Sequence, residues 1–246
     1  MPRRPTGRTW SSRSRSRRWM PARAPPEAMD PTELRALVEG LRQTHGAHTA
    51  LLYGSLADGS AGPESDIDLA LFAPIAQVRR DARWHQGRAL DVFVHPETVL
   101  AEPSAEQLYL RGAQVLAQRG DEATRFLAQL EALHAKGPQP LAPDEAQALR
   151  VWVAKMLQRL RRGDAEGDYR RHWLLMMALE DYFALRTLWY PGPKKALAWM
   201  AREAPDHHVL CAAALRPGAS DEAIAAWMAT VIEDASATPI RPADPA

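Results

Sequence analysis

The sequence predicts an α+β protein, in which a small mixed β-sheet with flanking helices is followed by an all-α helical bundle. Two observations lead to this fold class. Between residues 49 and 95, short apolar runs with the two-residue period of strands are separated by turns rich in Gly and Pro. Beyond Pro96 the apolar residues recur at helical spacing, and a Pro-rich stretch at 137–143 interrupts them and indicates a domain boundary.

The first 28 residues differ from the rest in composition. They hold eight Arg and one acidic residue among Ser and Pro, which is typical of a disordered basic segment or of a misassigned start, since Met29 directly precedes a helix start. The whole chain has a formal net charge of +1, so the remaining 218 residues, with 23 basic and 29 acidic side chains, carry −6. A mildly acidic body argues against a strong nucleic-acid footprint in residues 29–246.

The composition also limits the compartment. No run approaches the 18 or more consecutive apolar residues of a membrane span, so no membrane partner is expected. The single Cys211 excludes an intramolecular disulfide and fits a reducing compartment. We therefore expect a cytoplasmic protein.

The sheet domain is expected over residues 29–137. It opens with Asp30-Pro31-Thr32-Glu33, a helix N-terminus signal with a capping Asp and a Pro at the first helical position. Strands are predicted to end near Tyr53 and to lie at 66–73, 88–95 and 113–118, whereas residues 74–87 are predicted to be a solvated connection. The bundle is expected over residues 143–235, with helices at 143–162, 169–188, 194–203 and 220–235, and residues 236–246 form a flexible tail.

The candidate site is centred on Asp66-Ile67-Asp68. In an extended strand Asp66 and Asp68 point to one face, while Ile67 and the following Leu residues point to the other. Two carboxylates on one face repel each other, and a divalent cation held by oxygen ligands offsets that repulsion. The alternative is that both merely solvate an edge strand.

Two further elements complete the pattern. Gly54-Ser55 directly follows the first strand, and such a turn lets backbone N–H groups and a hydroxyl approach a phosphate. Asp91 lies at the centre of an otherwise apolar strand, where an acid is costly unless it is paired or ligates a metal. If that strand pairs beside 66–73, Asp91 completes a three-carboxylate cluster. Mg²⁺ with a nucleoside triphosphate suits this donor set.

This ordered pattern, Gly-Ser, a ten-residue gap, Asp-Ile-Asp and an isolated Asp in the next strand, resembles the polymerase-β-type nucleotidyltransferase superfamily. It is most similar to the small bacterial minimal and aminoglycoside nucleotidyltransferases. The helical bundle beside the catalytic sheet resembles, in architecture only, the aminoglycoside nucleotidyltransferases and HEPN-type bundles. The resemblance implies two-metal nucleotidyl transfer. By it, Asp66, Asp68 and Asp91 are the catalytic and metal-binding residues, Asp91 being the third ligand or the base, and Gly54 and Ser55 bind the β- and γ-phosphates.

The substrates are predicted less closely. We expect ATP to donate AMP to a hydroxyl of an unidentified acceptor, with a small molecule favoured. Lys194 follows a tight turn at a helix start, where positive charge is unfavourable, so an ATP phosphate is its expected partner, with a solvated lysine as the alternative. Two other functions stay open, namely a toxin–antitoxin component that AMPylates a partner protein and a nucleotide-binding regulator without catalysis.

Overall fold

The computed structural model describes residues 29–62 and 64–233. The predictions for residues 1–28 and for the tail from residue 236 lie outside these ranges. The described chain forms two compact units, the first made of residues 29–97 and 112–119 and the second of residues 98–111 and 120–233. The domain limits given above remain predictions.

The first unit is built on a mixed sheet. Within the described residues the sheet has five strands in the order β3-β4-β2-β1-β5. Strand β2 pairs with β4 in parallel, and the other neighbours are antiparallel. The strands are β1 (Thr49–Tyr53), β2 (Ile67–Ala73), β3 (Arg79–His85), β4 (Arg88–Pro96) and β5 (Gln114–Ala117). The predicted fold class, a mixed sheet followed by helices, is confirmed.

Helix α1 (Pro31–His45) covers one face of this sheet. Its start is the predicted one, because the Asp30 side chain accepts a hydrogen bond of 2.9 Å from the Thr32 N–H. The helix ends at Gly46, whose φ of 64° is the left-handed conformation that glycine adopts freely. The buried Val38 and Leu41 pack with alternate residues of β2 and β4, so the apolar face of the sheet is fixed.

The prediction of a solvated connection over residues 74–87 is wrong for half of that range, because residues 79–85 form β3. This strand lies at the edge of the sheet and is largely exposed, so it lacks the apolar alternation by which a half-buried strand is recognised. A two-residue turn joins it to β4. Gln86 and Gly87 have φ values of 49° and 87°, as a tight hairpin turn with matching twist requires.

The second unit is helical. Its main helices among the described residues are α2 (Glu122–Ala135), α3 (Pro143–Leu160), α4 (Ala165–Leu185), α5 (Pro193–Glu203), α6 (Pro205–Ala214) and α7 (Asp221–Ile232). The helices predicted in the bundle are present. The pattern did not predict α6, which opens with Pro205-Asp206-His207-His208 and has a short apolar stripe.

An aromatic cluster occupies the core of this unit. The fully buried Tyr182 ring lies 5.5 Å from the Trp227 ring, and its hydroxyl is 2.8 Å from Nδ1 of His207. The Arg186 guanidinium lies 3.9 Å from the centre of the Tyr182 ring.

None of the helices in the described part of the chain is long and apolar enough to cross a membrane.

We expect the two tryptophans Trp227 and Trp84 to differ sharply in their effect on stability. Trp227 is fully buried, so Trp227→Ala should lower the free energy of unfolding by about 3–5 kcal/mol. Trp84 is 76% exposed, so Trp84→Ala should change it by less than about 0.5 kcal/mol. Urea unfolding followed by circular dichroism measures both variants, and equal losses would contradict the assigned core.

Candidate functional site

The parallel pairing of β2 and β4 places two carboxylates side by side. Asp68 and Asp91 are direct partners in the register, and Tyr53 of β1 is the partner of Asp68 on its other side. The intervening residues, such as Ile67 and Val92, are fully buried with α1 on the opposite face. Tyr53, Asp68 and Asp91 therefore form one row on the face of the sheet that α1 leaves free, which we call the carboxylate face.

Asp66 adds a third negative charge beside this row. It lies just before β2 and is exposed. Burial, and then the charges of Asp66 and Asp91, raise the pKa of Asp68 to about 6. The three predicted acidic residues thus lie close enough for Asp68 to be affected by both others.

The turn after β1 fits closely against Asp68. Gly54 begins a short 3₁₀ turn, Gly54–Leu56, and has a φ of 72°, which disfavours other residues. A Cβ at this position would lie 3.3 Å from Cγ of Asp68 and closer still to Oδ2. Only glycine lets the backbone approach the carboxylate so closely. Gly54, with Ser55 next to it, therefore lies against the carboxylate row, as the spacing predicted.

Asp91 is engaged in an ion pair. The Arg80 side chain of β3 donates two hydrogen bonds to it, of 2.8 Å from Nε and 2.6 Å from Nη2. The Arg80 guanidinium also lies 5.1 Å from the centre of the Phe93 ring. This forked geometry matches a carboxylate and orients it. The sequence placed Arg80 only in a connecting segment, because β3 was not recognised as a strand.

The residues fit a magnesium site in part. Asp66 and Asp68 offer the oxygen donors that Mg²⁺ prefers, and the Gly54 turn lies directly against Asp68. Among residues 29–62 and 64–233, no group of three acidic, His or Cys side chains is gathered tightly enough to hold an ion as it stands. Asp91 joins such a site only when it exchanges its Arg80 contact for a metal. The assignment of all three as metal ligands stays a prediction.

Lys194 belongs to the second unit. It is exposed in the first turn of α5, after Gly192, whose φ is 86°. Its role in binding phosphate stays a prediction.

The second unit also holds a buried acid that the sequence left unassigned. Asp181 of α4 is 8% exposed, and its Oδ2 has no hydrogen-bond partner among the described residues. Burial, and then the neighbouring charge of Glu180, raise the pKa of Asp181 to about 6. The protonated form of Asp181 therefore persists to a higher pH than that of an exposed aspartate, and nothing in the sequence pattern of α4 distinguishes it from a surface acid.

Comparison with known proteins agrees with this arrangement. Residues 34–114 match the family model described as a nucleotidyltransferase domain, which is 81 of the 246 residues. The match contains β1 to β4 and the carboxylate face, so the resemblance to nucleotidyltransferases is confirmed. Most of the first unit thus lies within the stretch that is similar to a nucleotidyltransferase domain, and helices follow it in the chain.

The wider comparisons are more distant. A nucleotidyltransferase-like protein from Exiguobacterium sibiricum superposes with a TM-score of 0.38 and 12% identity, over 81% of this chain and 72% of that one. The comparison with curated proteins gives no match. The fold assignment therefore depends on the strand order and register described above.

The raised pKa of Asp68 predicts a pH-dependent effect of Asp68→Asn. Because this pKa is about 6 in the folded chain and 3.8 in an ordinary environment, protonation favours the folded state, and the stability it contributes is lost as the pH rises through about 6. The neutral Asn avoids that loss. Its advantage over the wild type should grow by about 1 kcal/mol between pH 5 and pH 8.

Unfolding free energies of the wild type and Asp68→Asn at both pH values measure this change. Glu64→Gln is the matched control, because Glu64 is an exposed acid of the preceding loop. A constant difference between Asp68→Asn and the wild type across the range would contradict the burial of Asp68 beside the other two carboxylates.

Proposed function

We propose that this protein transfers a nucleoside monophosphate from a nucleoside triphosphate to a hydroxyl of a small-molecule acceptor, with Mg²⁺ bound and with ATP as the favoured donor. One observation carries the proposal. The carboxylate pair Asp68 and Asp91 lies in register on one face of the sheet, with Asp66 beside it and the Gly54 turn packed against Asp68. The match of residues 34–114 to the nucleotidyltransferase domain model supports it.

Each residue of the site has a separate task in this proposal. The turn at Gly54 and Ser55 holds the β- and γ-phosphates through backbone N–H groups and a hydroxyl. Asp66 and Asp68 hold the metal. Bound Mg²⁺ supplies charge neutralisation and orientation for in-line transfer. Since the pKa of Asp68 is raised to about 6, this carboxylate is mostly ionised and ready to bind a cation near pH 7.

The proposed reaction is a single displacement at the α-phosphorus. The acceptor oxygen forms a bond to that phosphorus, and the bond from it to the bridging oxygen of the β-phosphate breaks, so pyrophosphate leaves. The proton of the acceptor hydroxyl passes to a base. Asp91 is the nearest carboxylate on the β4 side and takes the proton when it is not committed to metal.

The nucleotide and metal site is tested by calorimetry on the full chain. A non-hydrolysable ATP analogue should bind only with Mg²⁺, and Asp66→Asn should weaken that binding about ten-fold or more, because a charged ligand is lost. Glu64→Gln, in the same loop, should bind as the wild type does. Equal affinity with and without Mg²⁺, or no binding of any nucleoside triphosphate, would refute the proposed function.

A second expectation concerns Arg80, which forms an ion pair with Asp91. If Asp91 serves as a metal ligand, Arg80 competes with the metal for it, and Arg80→Gln should tighten Mn²⁺ binding up to about five-fold, the value of an exposed ion pair. Electron paramagnetic resonance of free Mn²⁺ measures the affinity. Arg79→Gln is the control, since Arg79 is an exposed neighbour on the same strand that faces away from Asp91. Unchanged Mn²⁺ affinity in Arg80→Gln would exclude Asp91 from the ligand set.

A further inference from the structure

Trp84 is a large aromatic side chain that the fold leaves exposed to solvent. It is 76% exposed, the most exposed Trp recorded in the described part of the chain. It makes no hydrogen bond or ring contact with any residue of the described ranges. Its removal therefore costs the fold little, and packing does not explain a tryptophan at this position.

The strand alternation fixes the face to which Trp84 belongs. Arg80 reaches Asp91 and Phe93, so residues 80, 82 and 84 of β3 lie on the carboxylate face. Asp81 lies between these residues and faces α1 on the other side of the sheet, since its Oδ2 is 3.4 Å from Nε2 of His45. Trp84 thus shares a face of the sheet with the carboxylate row.

The register places Trp84 near Asp91, the member of the row that lies closest to β3. Ala82 is the partner of Asp91. Trp84, two residues further along β3, is the partner of Ala89 and lies one pair before the hairpin turn. Two residues along a strand span about 7 Å, and neighbouring strands are about 4.8 Å apart. The side chains between Trp84 and Asp91 are alanines, so the floor beside the indole is shallow and open to a ligand.

The geometry of in-line transfer decides which substrate lies beside Trp84, and this step rests on the proposed function. The leaving pyrophosphate is held at the Gly54 turn after β1, and the attacking oxygen must approach the phosphorus from the opposite side. Across the sheet the order is β1, β2, β4 and then β3. The acceptor hydroxyl therefore arrives on the β4 side, beside Asp91, and the rest of the acceptor extends over β3.

We propose that Trp84 is the platform on which the acceptor stacks, and that the acceptor carries a planar or sugar ring next to the hydroxyl that is modified. An indole offers a flat apolar surface that stacks on nucleobases, aromatic rings and the apolar face of sugars. Arg80, beside it on the same face, adds a cation toward any anionic group of that acceptor. The nucleobase of the donor lies elsewhere.

Fluorine NMR on the full chain labelled with 5-fluorotryptophan tests this assignment, with Trp84→Phe identifying the Trp84 signal. Mg²⁺ and a non-hydrolysable ATP analogue are added first, then adenosine or phenyl β-glucoside as ring-bearing alcohols, with glycerol as the alcohol without a ring. The Trp84 signal should shift on addition of a ring-bearing alcohol and not with the analogue or glycerol. The signal of Trp173, another exposed tryptophan, should stay in place.

Affinities measured on the same samples separate the possible sources of the ring. Trp84→Ala should weaken binding of the ring-bearing alcohol about ten-fold, and Trp84→Phe should restore most of it, while both bind the analogue as the wild type does. A Trp84 shift with the analogue alone, together with weaker analogue binding in Trp84→Ala, would assign the indole to the nucleobase and overturn the proposal. No shift with either ring-bearing alcohol, on a chain that binds the analogue, would also overturn it. Failure to bind the analogue would instead refute the proposed function itself.

Discussion

The parallel pairing of β2 with β4 is the constraint on which the site depends. It fixes Asp68 beside Asp91 and brings two negative charges together. Burial, with the charges of Asp66 and Asp91, raises the pKa of Asp68 to about 6. The fold tolerates this because the opposite side chains of both strands are buried against α1. Burial of the apolar face thus holds Asp68 and Asp91 side by side against the repulsion between their charges.

A cation offsets the repulsion between the carboxylates, and the Arg80 guanidinium is such a cation. Arg80 neutralises Asp91 with two hydrogen bonds, and the ring of Phe93 holds the guanidinium in place. A bound metal would serve the same electrostatic purpose for Asp66 and Asp68. If Asp91 is also a metal ligand, as we propose, the arginine and the metal would compete for this carboxylate, and the site would have two states that differ in the partner of Asp91.

The strand order gives the carboxylate face a direction. The Gly54 turn follows β1, the carboxylates lie on β2 and β4, and the exposed Trp84 lies on β3 at the sheet edge. In the proposed reaction, the leaving group, the reacting phosphorus and the acceptor would follow this order of the strands. The exposed arginines of this edge strand also disfavour pairing with other chains.

The sequence by itself determined the fold class and helix α1 with its Asp30 cap, and it indicated Gly54, Ser55, Asp66, Asp68 and Asp91 as candidate site residues, because each carries a local signature of period, cap or turn. It could not show β3, whose exposed side chains carry no apolar period, nor helix α6. Only the tertiary structure decided that Arg80 pairs with Asp91 and that Trp84 shares their face, since both follow from strand register. Register depends on which strands pair, and that is set by contacts between residues distant in the chain.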